Sequence, residues 1–204
     1  MPSAPRSHAA GGIPAGDLLD VGADRAKWRA WLRRNHAKRD HVWLVAWRAS
    51  SGRPRIPYAA AVEEALCYGW IDSQQKTVDA DRVAQRYTPR RPGSGVSETN
   101  KVRVRRLLAS GRMTRAGLAA LAGVFDPGAK PTAVRLPPDV RQALKADAAA
   151  WRNYAQLPDD YKRIRLAYIE SGRRHGADHV ARRIANFVAK TAAGKRIGHD
   201  PSIR

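Results

Sequence analysis

Tyr58-Ala-Ala-Ala-Val-Glu-Glu-Ala-Leu-Cys-Tyr-Gly-Trp-Ile-Asp72 changes its backbone period within a single short stretch. From Tyr58 to Tyr68 the apolar residues Ala61, Val62, Ala65 and Leu66 recur at helical spacing. Gly69 can close that helix where the chain turns into Trp70 and Ile71, so a helix runs directly into a strand with Asp72 near its start. Asp79-Ala-Asp81 supplies turn chemistry before Arg82 to Thr88 return antiparallel. Alternation along the returning strand sets Val83, Gln85 and Tyr87 on one face and Arg82, Ala84 and Arg86 on the other.

Upstream, Val42 to Trp47 is a short continuous apolar run of the kind that forms a strand covered on both faces, central in a small sheet. Asp24 is placed to cap a helix that buries Trp28, Trp31 and Leu32 and leaves Arg25, Arg29, Arg33 and Arg34 wet. Residues 1–22 are rich in Ala, Gly, Pro and Ser and read as a disordered leader. Downstream, Pro89-Arg-Arg-Pro-Gly-Ser94 is a loop. Ser97 caps a helix with Asn100, Val104, Leu107 and Leu108 on one side and Lys101, Arg103, Arg105 and Arg106 elsewhere, and Gly111 stops it. Thr114 starts a short helix to Leu121.

The C-terminal third carries three apolar stripes. They comprise Val140, Leu144, Ala148, Trp151 and Ala155; then Tyr161, Ile164, Arg165 and Tyr168; then Val180, Ile184, Phe187 and Val188. Gly172 and Gly194 stand where C-terminal caps fall. The expected fold is α+β: a small antiparallel sheet of residues 41–48, 71–78 and 82–88 covered by helices, then a C-terminal three-helix section. The expected divisions are a leader at 1–22, a core at 23–125, a linker at 126–132, helices at 133–195 and a frayed tail at 196–204.

The 204 residues include 38 basic and 18 acidic side chains, a formal charge of +20. Such a field attracts polyanions, so the partner class is an unknown anionic ligand or non-specific nucleic acid. A single cysteine, Cys67, excludes an internal disulfide, and no run approaches the length of a membrane span, which sets the cytoplasm as the expected location. No phosphate-cradling glycine loop, nucleophile elbow or Cys-x-x-Cys pair occurs, and the sequence assigns no catalytic residue, metal ligand or cofactor. His175 and His179 have metal-ligand spacing but lack the glutamate of His-Glu-x-x-His, and Gly176 lies between them.

Arg90 and Arg91 beside Tyr87, with Trp70, Asp72, Lys76 and Arg86, offer planar cations and aromatic surface suited to phosphate, carboxylate or a base, and are the candidate ligand-binding residues. The competing reading pairs Arg90 and Arg91 with Glu64 and Asp72 in a structural ion-pair network. Cys67 reads as a packed, unreactive thiol.

Glu64-Ala-Leu-Cys-Tyr-Gly-Trp-Ile-Asp72, Arg86-Tyr-Thr-Pro-Arg-Arg91 and Gly111-Arg-Met-Thr-Arg-Ala-Gly-Leu118 resemble the signature of the YdeI/OmpD-associated, or bacteriocin-protection, family. The likeness extends through Trp43-Leu-Val-Ala-Trp47, Gly52-Arg-Pro-Arg-Ile56 and Ala181-Arg-Arg-Ile184 to cover most of residues 25–195. Ser73 stands where that family commonly has glycine, and Val96 where a tryptophan usually precedes the serine. The resemblance implies a bacterial, non-enzymatic binding protein in stress response or antimicrobial-peptide tolerance. Charge supports a second reading, non-specific nucleic-acid binding. A third is an enzyme that handles an anionic substrate with Asp72, Arg90 and Arg91.

Overall fold

The structure is a computed structural model that describes residues 8, 9 and 12–198. The chain divides into two compact units. The first runs to Val96 and resumes over Arg103–Pro127, and the second comprises Ser97–Val102 and the chain from Gly128 onward.

In the first unit, β1 (His8–Ala9) pairs antiparallel with β2 (Ile13–Pro14). The next strand, β3 (Leu18–Asp20), lies parallel to β4 (Val42–Trp47), and α1 (Arg25–Asn35) makes the crossover that a parallel pair requires. The Asp24 side chain accepts from the Lys27 amide at 2.9 Å, so the helix starts where its capping residue sets it. After α2 (Tyr58–Cys67) come β5 (Trp70–Thr77) and β6 (Arg82–Pro89), which form an antiparallel hairpin. The sheet order is β3-β4-β6-β5, so β4 is central as its apolar run predicts. Asp79 Oδ1 accepts from the amides of Asp81 and Arg82, which makes the hairpin turn.

Two expectations are corrected here. The sheet has a fourth strand and is mixed rather than purely antiparallel. Residues 12–22 of the expected disordered leader are ordered: β3 pairs with β4, Ile13 is 1% exposed and Val21 is buried. A three-residue strand is too short to show a period, yet β4 would leave a row of unpaired amides and carbonyls without it. The rest of that expected leader, apart from His8 and Ala9, lies outside the described residues.

The sheet has two packed faces. On the inner face Val42, Leu44, Trp70 and Tyr87 join Trp28, Leu32, Val62, Leu66 and Cys67 from the helices. Trp28 stacks on Trp31 with ring centroids 5.5 Å apart and tilts against Tyr87 at 5.2 Å. The indole N–H groups are satisfied, Trp28 by the Ala61 carbonyl at 3.0 Å and Trp70 by that of His36 at 3.1 Å. On the outer face Ile13, Trp43, Val78 and Ala84 form a smaller cluster.

Gly69 has φ +74°, and a Cβ there would lie 2.6 Å from that of Ala120. The positive φ turns α2 into β5, and the Arg90 amide secures the corner by donating to the Gly69 carbonyl at 2.8 Å. Two further helices are α3 (Glu98–Ala109) and α4 (Arg115–Ala119). In α3 the expected faces shift, for Leu108 is 36% exposed whereas Arg103 is buried beside Val104.

The second unit contains α5 (Pro138–Lys145), α6 (Ala148–Ala155), α7 (Asp159–Glu170) and α8 (Ala177–Ala192). The expected three-helix section therefore has four α-helices. Asp147 interrupts the first stripe, and its carboxylate accepts from the Ala150 amide at 2.9 Å and caps a new helix. The break re-phases α6 relative to α5 and leaves Trp151 38% exposed instead of facing the core. Val140, Leu144, Tyr154, Tyr161, Ile169 and Phe187 fill the interior of this unit. Asn153 Nδ2 donates to the carbonyls of Thr191 and Ala192, satisfying the end of α8. Gly194 closes α8 with φ +65°, whereas Gly172 is right-handed and Gly176 takes the positive φ. In the expected frayed tail the Ile197 amide donates to the Tyr161 hydroxyl at 2.7 Å, and residues 199–204 lie outside the described residues. No described helix is long and apolar enough to cross a membrane.

Candidate functional site

Five of the seven sequence-predicted ligand residues are divided between the two faces of the sheet, and Arg90 and Arg91 lie in the loop after β6. Asp72 and Lys76 are four apart and would share a face of a regular strand. The register shifts between Asp72 and Gln75, so Asp72 opposes Tyr87 while Lys76 opposes Ala84. Asp72, Trp70 and Tyr87 therefore belong to the inner face. Lys76 and Arg86 belong to the outer face, where the Lys76 ammonium lies 5.2 Å from the Trp43 ring and Arg86 opposes Trp43.

Trp70 and Tyr87 are core residues, each 1% exposed. Burial pushes the Tyr87 hydroxyl far above the ordinary phenol range, with Asp72 and Tyr58 adding to the effect. Asp72 is half-buried, and its Oδ2 accepts a 2.6 Å hydrogen bond from the Tyr58 hydroxyl at the start of α2. The Tyr58 ring is 55% exposed, so this pair presents a carboxylate-bound phenol at the surface. Among the described residues no ion pair reaches Asp72.

Arg90 turns away from both expected carboxylates. Its Nη2 donates to the carbonyls of Ser94 and Gly95, and it is buried to 8% exposure. Burial lowers its pKa, since no charged partner offsets the desolvation. The residue holds the 89–95 loop in shape. Arg91 stays exposed.

The ion-pair network that does form centres on Glu64 with other partners. Its side chain is 1% exposed and receives Arg25 Nε, Arg29 Nη1 at 2.7 Å and Arg112 Nη2. Arg25 also bonds Glu63 at 2.7 Å, and Arg29 Nη2 donates to the Arg112 carbonyl at 2.9 Å. Three guanidinium groups from α1 and the α3–α4 turn thus converge on one carboxylate of α2. Arg25 and Arg29, expected to be wet, are drawn inward by it, raising their pKa values against the opposing desolvation. Glu64 was legible as an ion-pair residue, but its partners were not, because they lie 35 or more positions away in the chain.

Cys67 is fully buried on the same helix, and burial pushes its thiol pKa up despite the nearby Arg29 and Arg112. His175 closes a 3₁₀ turn while His179 lies in α8, with ring centroids 5.3 Å apart, and no metal-holding cluster occurs among the described residues.

Two family models match separate stretches of the chain. Residues 21–120 match a domain of unknown function (DUF8412), and residues 133–194 match the family described as bacteriocin-protection, YdeI or OmpD-associated. The C-terminal helices thus match the YdeI/OmpD-associated family model. The long motifs that carry the resemblance between Glu64 and Leu118 fall in the other match. No curated protein and no solved structure matches the chain.

Proposed function

We propose that this chain, whose C-terminal helices match the YdeI/OmpD-associated family model, is a non-enzymatic binding protein that engages an anionic ligand in stress response or antimicrobial-peptide tolerance. The observation that carries the reading is the saturation of Glu64, a fully buried carboxylate neutralised by three arginines and so withdrawn from acid–base work. Arg90 is tied to carbonyls and Cys67 is a packed thiol, so the reactive side chains of the signature stretch serve the fold. The remaining excess of 38 basic over 18 acidic side chains favours anions. That charge also repels cationic peptides at long range, so the protein acts through an anionic partner rather than by capturing such peptides from solution.

Thermal shift of the full chain with inorganic phosphate, polyphosphate and heparin at low ionic strength tests this, since a ligand that binds only the native state raises its melting temperature. A rise with at least one anion is expected. A flat response across all three would sink the reading.

The outer sheet face supports a second reading, non-specific nucleic-acid binding. There the Arg53 guanidinium carbon sits 4.3 Å from the Trp47 ring centroid, with Arg82 at 5.7 Å from the same ring and Lys76 beside Trp43. Two sequence-scrambled duplexes would then bind alike, with the logarithm of affinity falling against log salt by about 0.9 per neutralised phosphate. Strong preference for one duplex argues against it.

A further inference from the structure

The geometry points to a binding site for a small organic oxyanion in the second unit, at a cavity walled by α7 and α8. It rests on the anion-binding reading and deepens it by naming a place and a ligand class. The cavity measures about 270 Å³. Arg165, Tyr168 and Ile169 line it from α7, Arg183, Asn186 and Phe187 from α8, and Ile197 completes the wall.

Among the described residues its two cations have no counter-charge. Arg165 makes no hydrogen bond or ion pair with any described residue, and its guanidinium carbon lies 5.7 Å from the centroids of both Tyr161 and Tyr168. Arg183 stacks on Tyr168 at 3.9 Å, and its Nη1 donates to the Tyr168 carbonyl and to Ser171 Oγ, both neutral. The Nε–H of each arginine is buried without a partner. Among the described residues no carboxylate lines the cavity. Two desolvated donors and facing like charges are costly when empty, and an oxyanion relieves both at once.

The remaining lining fixes the rest of the ligand. Ile169 and Phe187 are each 1% exposed at the cavity wall, and Tyr168 is half exposed. These offer an apolar surface next to the guanidinium groups, with the Asn186 amide as a polar contact. The volume is slightly below the lower end of typical small-molecule pockets, about 300 Å³, which suits one ring or a short chain. A phosphate or carboxylate head on a small apolar body matches both halves.

Calorimetric titration of phenyl phosphate, inorganic phosphate and phenol into the full chain at low ionic strength separates head from body. Phenyl phosphate should saturate one site more tightly than inorganic phosphate, and phenol should not bind measurably. Arg165→Gln removes a charge-assisted contact and should weaken phenyl phosphate roughly tenfold or more. Arg34→Gln, an equal loss of charge at an exposed position of the first unit, should leave the affinity within about twofold. Because Arg165 has no hydrogen-bond partner, its variant should melt like the parent, and Arg183→Gln supplies a second loss. Unaltered binding in Arg165→Gln, an equal loss in Arg34→Gln, or inorganic phosphate binding as tightly as phenyl phosphate would each overturn the site. Failure of phenyl phosphate to bind while polyphosphate still stabilises the chain would remove this cavity and leave the broader anion-binding reading standing.

Discussion

Two arginine clusters, one in each unit, are used in opposite ways. In the first, Arg25, Arg29 and Arg112 converge on the buried carboxylate of Glu64, and every oxygen of that carboxylate is engaged. In the second, Arg165 and Arg183 face one cavity with tyrosine rings and a carbonyl for company and, among the described residues, no carboxylate. The same residue type therefore completes a core in one place and leaves charge unspent in the other. A +20 total cannot tell these apart, because it counts guanidinium groups and not their partners.

The largest expected effect lies on the saturated side of that contrast. Glu64→Gln leaves three converging guanidinium groups without their counter-charge, and breaking a buried pair this way costs ~3–5 kcal/mol. The arginines reach solvent at about a third of their side-chain surface, which places the loss near the lower end. Urea denaturation measures it. A midpoint equal to the parent's would remove the distinction between the two arginine sets.

Next comes Gly117→Ala. A Cβ at this position would sit inside the van der Waals envelope of the Cys67 carbonyl, where α4 meets the end of α2. Overpacking of this kind costs about 1–3 kcal/mol, visible as a lower melting temperature. An unshifted melt would mean that α4 is free to move off the signature helix.

Cys67 supplies a pH-dependent term. Its folded pKa is raised by burial, so the native state keeps the proton after the unfolded state has lost it. The contribution is fully present below the unfolded thiol value of about 8.5 and declines as pH rises beyond it, by at most ~1.4 kcal/mol per pH unit. Parent and Cys67→Ala melts compared between neutral and alkaline pH should diverge in that direction. In the native protein at neutral pH, thiol labelling should require denaturant, and rapid stoichiometric labelling would contradict the packing.

Asp72→Ala is expected to cost only ~0.5–1.5 kcal/mol, because the lost contact is the hydrogen bond from the partly exposed Tyr58 hydroxyl rather than an arginine. A loss as large as that of Glu64→Gln would show that Asp72 belongs to the saturated set after all. The smallest effect belongs to Arg165→Gln, which gives up distant ring contacts worth about 0.5 kcal/mol. Destabilisation well beyond that would make Arg165 a structural residue and erase the contrast from the other side.

Much of the fold is carried by local signals. The capping of α1 by Asp24, the turn at Gly69, the hairpin corner at Asp79 and the cap of α3 at Ser97 each depend on residues within a few positions of one another. The missed features are those in which local chemistry competes with period. Asp147 splits one apolar stripe into α5 and α6, and β3 is too short to show alternation. The candidate site fared worse for the same reason. Trp70, Asp72 and Lys76 look like neighbours on one strand face, but a one-residue bulge set by pairing with β6 sends Lys76 to the face opposite Trp70 and Asp72.

By itself the sequence determined the α+β class, the central place of Val42–Trp47, the helix-to-strand corner at Gly69 and an excess of positive charge in search of partners. Those features arise from spacing, backbone freedom and composition, which are properties of short stretches. Tertiary structure alone decided that Arg25, Arg29 and Arg112 would share Glu64, that Arg90 would serve a loop, and that Arg165 and Arg183, eighteen positions apart, would face one cavity unpaired. Charge pairing is a matter of distance in space, and the distances that count here are closed by helix packing between residues far apart in the chain.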